Sequence, residues 1–141
     1  MTAISPGRCL CFAIRSASRS ITALYDAKLA ESGPTNGQFT ILRLLAGRGP
    51  TRMTELKTIC EVQQSTMSRE IKLLTGRGLV ELAASEDARS KPVKITAQGR
   101  RTLRQAETLW DEAHAAMADR LGQSTFDDLL ETLADVRRAL N

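Results

Sequence analysis

The sequence predicts a mainly α-helical chain carrying one small β-hairpin. Three observations point there. Apolar residues recur at steps of three and four along most of the 141 residues. Aromatics make up only 4% against 42% hydrophobic residues, so the core is built from Leu, Ile, Ala and Val, a composition that favours helices. Two short β-like runs, LVEL and VKIT, flank the polar stretch AASEDARSKP. A chain of this length makes one domain, or one subunit whose helices are completed by a second copy.

The first helix is expected from Ser5-Pro6, an N-cap followed by proline at the first helical position, to about Ser32. Its apolar or small stripe runs through Cys11, Ile14, Ser18, Ile21 and Tyr25, with Arg8, Arg15 and Arg19 off that stripe. Gly33-Pro34 stops it. Thr35 then caps a second helix whose buried side is Phe39, Leu42, Leu45 and Ala46. After Gly47, Gly49 and Pro50 comes a short extended TRM, and Thr54 caps the helical TELKTICEV. A tight turn leads into QQSTMSREIKLLTGRGL, with Met67, Ile71 and Leu74 on one face and Gly76 and Gly78 at the end.

Helix, turn, helix and then a hairpin with a basic tip is the order of a winged helix-turn-helix. A long helix follows from Ala97 to about Leu121, with Leu103, Ala106, Trp110, Ala113 and Met117 at heptad-like spacing. The last helix, from Ser124, carries Phe126, Leu129, Leu133, Val136 and Leu140. So small a domain cannot cover both apolar faces, so they are expected to pair with a second copy.

Charge is divided along the chain in the same way. Residues 67 to 104 hold nine Lys/Arg against four acids, whereas residues 105 to 141 hold three Arg against eight acids. A basic middle suits a polyanion, and an acidic end suits another task. No run of 18 or more apolar residues occurs, and residues 1 to 15 lack a signal-peptide pattern, so a cytoplasmic protein is expected. Phosphate-cradling motifs, a dinucleotide fingerprint and His-rich metal spacing are absent. The single histidine, His114, reads as surface or interface filler, and no enzyme, metal or cofactor is implied.

MTELKTICEVQQSTMSREIKLLTGRGLVEL, the pattern Asp87-Ala88-Arg89 and the following Ile95-Thr96-Ala97-Gln98-Gly99 closely resemble the multiple antibiotic resistance regulator (MarR) family of bacterial transcription factors. The resemblance spans nearly the whole chain. It implies a single domain, 1–141, with dimerisation helices at 5–32 and 97–141 around a winged helix-turn-helix at 35–96. It also implies a homodimer on an inverted-repeat operator in double-stranded DNA, repressing by blocking promoter access.

A recognition helix beginning near Gln64 is then expected to present Gln64, Ser65, Thr66, Ser68 and Arg69, hydrogen-bonding types that suit base edges and phosphates, with Lys72 one turn from Ser68 and placed for phosphate. Ser65 as a helix cap is the competing reading of that residue. In the hairpin loop, Arg89 fits the electronegative minor groove, Lys91 adds positive charge, and Asp87 supports the wing.

Cysteine placement suggests the signal. Cys60 lies amid Ile59 and Val62 and reads as a small core residue. Cys9 and Cys11, two apart on one helix, are expected to point about 200° from each other, which disfavours a shared metal or disulfide. Their place at a helix start beside Arg8 and Arg15 favours reactivity. LCFAIRSASR is similar to the opening helix of the family's organic hydroperoxide regulators. That likeness implies Cys11 as sensor, Tyr25 as a tyrosine that contacts it, and Cys9 as a local or cross-subunit resolving thiol. Arg15 and Asn36 stand where that subgroup has tyrosines.

Packing of Cys11 within its stripe is the plain competing reading. Control by a small phenolic or aromatic acid bound near Arg15 and Tyr25 is the alternative to oxidation. A winged-helix interaction protein without DNA binding is the third.

Overall fold

A computed structural model describes residues 6–85 and 91–141. Its elements are α1 (Leu10–Leu29), α2 (Asn36–Arg48), α3 (Met53–Ile59), α4 (Gln64–Gly76), β1 (Val80–Leu82), β2 (Val93–Ile95), α5 (Ala97–Leu121) and α6 (Gln123–Leu140). Pro6–Arg8 forms a single 3-10 turn ahead of α1. Mainly helical with one antiparallel hairpin, this is the winged helix-turn-helix that the element order implied.

Local chemistry sets most boundaries as expected. Thr35 and Gln38 form a reciprocal capping box that starts α2. Thr96 caps α5 by accepting from the Gly99 amide at 2.9 Å, while its hydroxyl donates to the Gly78 carbonyl at 2.7 Å and so fastens α5 to the base of the wing. Gly78 follows α4 with φ +72°, a left-handed conformation that glycine adopts without strain.

Two starts differ from the sequence reading. α1 begins at Leu10, with Cys9 in an extended conformation at its N-cap, and the expected cap Ser5 lies outside the described residues. α3 begins at Met53 behind Arg52, so Thr54 sits inside the first turn and caps nothing. α4 begins at Gln64, where the recognition helix was expected, so Ser65 is an interior residue and the competing reading of it as a cap falls. At α1 and α3 the chain enters the helix from an extended residue that the propensities of its neighbours did not single out.

The main core lies under the helix-turn-helix, where Leu29, Phe39, Leu42, Leu45, Leu56, Met67, Ile71, Leu74, Val80 and Val93 are buried. Strand pairing runs Val80 to Ile95, Glu81 to Lys94 and Leu82 to Val93, and Thr51 adds an isolated bridge to Val93. The extended TRM is therefore stitched to the wing. Gly99 is required where α5 crosses this hairpin: a Cβ there would run into the Leu79 carbonyl and lie 2.7 Å from Ile95 Cγ1.

A second cluster, of Tyr25, Ala113, Met117, Ala118 and Phe126, joins α1, α5 and α6, and Trp110 touches both clusters. Beyond it the apolar faces are uncovered. Leu10, Phe12 and Ile14 of α1 and Leu129, Leu130, Leu133 and Leu140 of α6 are all exposed. Of the stripe expected on α1, only Tyr25 is buried and Ile21 half-buried, while Cys11, Ile14 and Ser18 are exposed. Within one chain, Cys11 is not a packing residue.

Candidate nucleic-acid interface and thiol pocket

Helix α4 is amphipathic because Met67, Ile71 and Leu74 recur at helical spacing and face the core. Gln64, Ser65, Ser68, Arg69 and Lys72 consequently share the exposed side. Gln64 Nε2 and Ser68 Oγ each lie 3.3 Å from the sulfur of Met53 at the start of α3. Arg69 has only a loose contact, 3.8 Å, with the neighbouring Glu70 carboxylate. Thr66 departs from this set. It is half-buried and lines a cavity of about 200 Å³ with Ile41, Cys60, Val62 and Met67, turned from the face that presents the others.

Helix α4 is locked to the α1–α2 corner by a polar network the sequence did not disclose. Buried Gln38 donates to Glu70 Oε2 at 2.9 Å and accepts from Arg77 Nη1 at 3.4 Å, and Arg77 also donates to the Gly33 carbonyl at 3.3 Å. At the wing, Lys94 pairs with Glu81 at 3.2 Å and Lys91 is exposed. Asp87 and Arg89 lie outside the described residues.

At the other end of the chain, Cys9, Cys11, Phe12, Arg15 and Arg19 line one cavity of about 380 Å³. This corrects the expectation that the two thiols face apart. Cys9 sits at the N-cap with φ −89° and ψ 114°, outside the helical geometry on which that angle depended. Cys11, Arg15 and Arg19 follow at four-residue spacing along α1. Both thiols are free.

Tyr25 is not brought to this pocket. It lies fourteen residues from Cys11 along one helix, about 21 Å at 1.5 Å per residue, and about 15 Å from Arg15. Its hydroxyl is 2.9 Å from His114 Nδ1. A sensor contact between Tyr25 and Cys11, or a shared ligand pocket for Tyr25 and Arg15, is therefore not built within one chain.

His114 is no filler. Its ring stacks on Trp110 at 4.5 Å between centroids and meets Phe126 edge-on at 4.9 Å. Trp110 in turn stacks on Phe39 at 5.9 Å and carries the Arg43 guanidinium 5.6 Å above its ring. Phe39, Arg43, Arg48 and Trp110 help line a further cavity of about 360 Å³ between α2 and α5. Burial raises the Tyr25 hydroxyl above its ordinary pKa, and burial does the same to the Cys60 thiol.

Among the described residues no group of three or more His, Cys, Asp or Glu is arranged to hold a metal, and no helix is long and apolar enough to cross a membrane.

Residues 32–90 match the model of the MarR family. The structure of the transcriptional regulator MosR of M. tuberculosis in complex with DNA is 31% identical, with a TM-score of 0.82, covering 94% of this chain and 96% of that one. The chain belongs to the MarR family. The HTH-type transcriptional regulator FarR of Neisseria gonorrhoeae is 29% identical over 117 residues, 80% of each chain. The repressor CouR bound to a 23-mer DNA duplex is 27% identical with a TM-score of 0.83, covering 96% of this chain and 99% of that one. These relatives are transcriptional regulators rather than enzymes.

Against that MarR frame, the residues missed from the sequence are Met53, Gln38, Arg77, Arg43 and His114. Trp110 and His114 are four apart, the spacing that places two rings on one helix face, and this was the legible signal for the aromatic cluster. Locally Gln38 is marked only as the capping-box partner of Thr35, and nothing local marks Arg77; the Gln38 bonds to Glu70 and Arg77 each span more than thirty positions.

Proposed function

We propose that this MarR-family chain is a homodimeric, sequence-specific DNA-binding regulator, a repressor released from an inverted-repeat operator when Cys11 is oxidised. The observation that carries DNA reading is the exposed face of α4, where Gln64, Ser65, Ser68, Arg69 and Lys72 stand together on a helix whose opposite face is locked in the core. Arg89 and Lys91 supply the wing contacts and Asp87 its support. Helices at 5–32 and 97–141 form the dimer around the reading module 35–96, a division supported by the uncovered leucines of α1 and α6. Two half-sites about 10 base pairs apart follow from the two-fold axis.

The reading is tested by DNA retention in a salt series. Lys72→Ala weakens binding on all sequences alike and lowers the salt slope by about one. Arg69→Ala and Arg89→Ala together abolish retention at moderate salt. Wild-type protein that binds no DNA in low salt would refute the function.

Redox control is supported by the two thiols on one cavity with Arg15 and Arg19. The Cys11 thiolate attacks an organic hydroperoxide, forming an S–O bond as the O–O bond breaks and an alcohol leaves. Cys9 then attacks the resulting sulfenic acid, an S–S bond forms, and the hydroxyl leaves as water. One hydroperoxide is reduced and two thiols are oxidised. Closing this bridge pulls Cys11 out of the first turn of α1, at an uncovered dimer face.

A second reading keeps the DNA-binding dimer and replaces oxidation by a small aromatic or phenolic acid. The cavity of Phe39, Arg43, Arg48 and Trp110 favours it over the neighbourhood of Arg15 and Tyr25, because guanidinium groups and aromatic faces meet there. Thermal stabilisation by such acids, lost in Arg43→Ala, distinguishes the two.

A further inference from the structure

We infer that Met53 is a positioning residue for base readout: its thioether fixes the hydrogen-bonding polarity of Gln64 and Ser68 and thereby helps choose the operator sequence. The inference rests on the DNA-reading function proposed above and deepens it. Gln64 and Ser68 are one turn apart on the exposed side of α4, and both donate to the same Met53 sulfur at 3.3 Å. Met53 itself is half-buried at the start of α3 and packs against the main core, so its position is set by the fold and not by the DNA.

A thioether offers acceptor capacity only. The Ser68 hydroxyl proton is therefore directed at the sulfur, and its lone pairs are what Ser68 presents outward. In the major groove, adenine and cytosine offer an amino donor to such an acceptor, whereas guanine and thymine offer acceptors alone. Ser68 is thus set to read adenine or cytosine.

Gln64 spends one of its two amide hydrogens on the sulfur. The remaining N–H and the carbonyl oxygen form the pair that meets adenine N7 and N6. Sulfur is a weak acceptor, so it orders these groups without competing strongly with a base. Leu in place of Met53 keeps the bulk and removes the acceptor, which frees the hydroxyl to donate and the amide to turn over.

The test is selection of bound sequences from random DNA by the full-length wild type, Met53→Leu and Ser68→Ala, with thermal melting run alongside. The wild type enriches adenine at one position of each half-site and adenine or cytosine at another. Met53→Leu lowers discrimination at those two positions by about fivefold or more, leaving the other positions and low-salt non-specific binding unchanged.

A Met53→Leu profile identical to the wild type, or one weakened equally at every position, overturns the inference. Ser68→Ala leaves Met53 in place and erases the adenine-or-cytosine preference alone. An unaltered profile in that variant overturns the assignment whatever the stability of Met53→Leu. A wild type with no preferred base at any position overturns the DNA-reading function itself, and this inference with it.

Discussion

The Tyr25 hydroxyl of α1 lies 2.9 Å from His114 Nδ1 of α5, across a seam otherwise closed by apolar and aromatic groups. This pair ties the first and fifth helices together at a point where each has a polar atom to satisfy. Tyr25→Phe strands the half-buried imidazole nitrogen and is expected to cost about 1–2 kcal/mol of unfolding free energy. His114→Ala also loses the stacking on Trp110 and the edge contact with Phe126, and costs more, about 2–3 kcal/mol. Urea unfolding of the two variants checks both the costs and their order.

Alkaline pH should destabilise the protein. The folded Cys60 thiol titrates above its ordinary 9.0 and the folded Tyr25 hydroxyl above its ordinary 10.0. From about pH 9 upward the unfolded chain therefore binds fewer protons than the folded one, so unfolding free energy falls as pH rises. Stability contributed by these neutral groups is full below the unfolded values and lost through the folded ones. Denaturation midpoints between about pH 7.5 and pH 10.5 should decline, less steeply in Cys60→Ala and Tyr25→Phe. Equal slopes in wild type and variants would contradict the assignment.

Gly99→Ala is a backbone-crowding test of how α5 sits on the wing. The added methyl meets the Leu79 carbonyl and Ile95, so α5 must lift from the hairpin, at a cost of about 1–3 kcal/mol. Calorimetric melting measures it. Because Thr96 bonds both Gly78 and Gly99, the same variant should loosen the wing and weaken DNA retention.

How much of this was legible in sequence divides by range. The long helices, the helix-turn-helix and the hairpin were readable because each is specified by local spacing: Met67, Ile71 and Leu74 define one face of α4 wherever the rest of the chain goes. The start of α3 at Met53 was not readable, because an extended entry residue without a side-chain cap leaves no residue-type signature. The exposed polar face of α4 was legible except for Thr66, which is half-buried in the cavity that α4 shares with α2 and the end of α3. The thiol geometry was not legible, because the angle between Cys9 and Cys11 holds only within an intact helix and Cys9 stands outside α1. The His114 bond to Tyr25 and the Gln38 bond to Glu70 span 89 and 32 positions, which no window along the chain brings together.

The uncovered face of α6 predicts its own disruption. Leu133→Asp places a charge where Leu129, Leu130 and Leu133 lie exposed beyond buried Phe126. Sedimentation should show a dimer for the wild type and a monomer for the variant, with operator affinity lost at the same time. The winged module should stay folded in the variant, because the main core does not include Leu133.

Operator affinity before and after one equivalent of an organic hydroperoxide, in the wild type, Cys9→Ser and Cys11→Ser, tests the central claim most directly. The account predicts that oxidation releases wild-type protein from DNA and that reductant restores binding through a Cys9 to Cys11 bridge. Cys11→Ser stays bound, and Cys9→Ser halts at the sulfenic acid. Unchanged wild-type affinity after stoichiometric oxidation of Cys11 would contradict it.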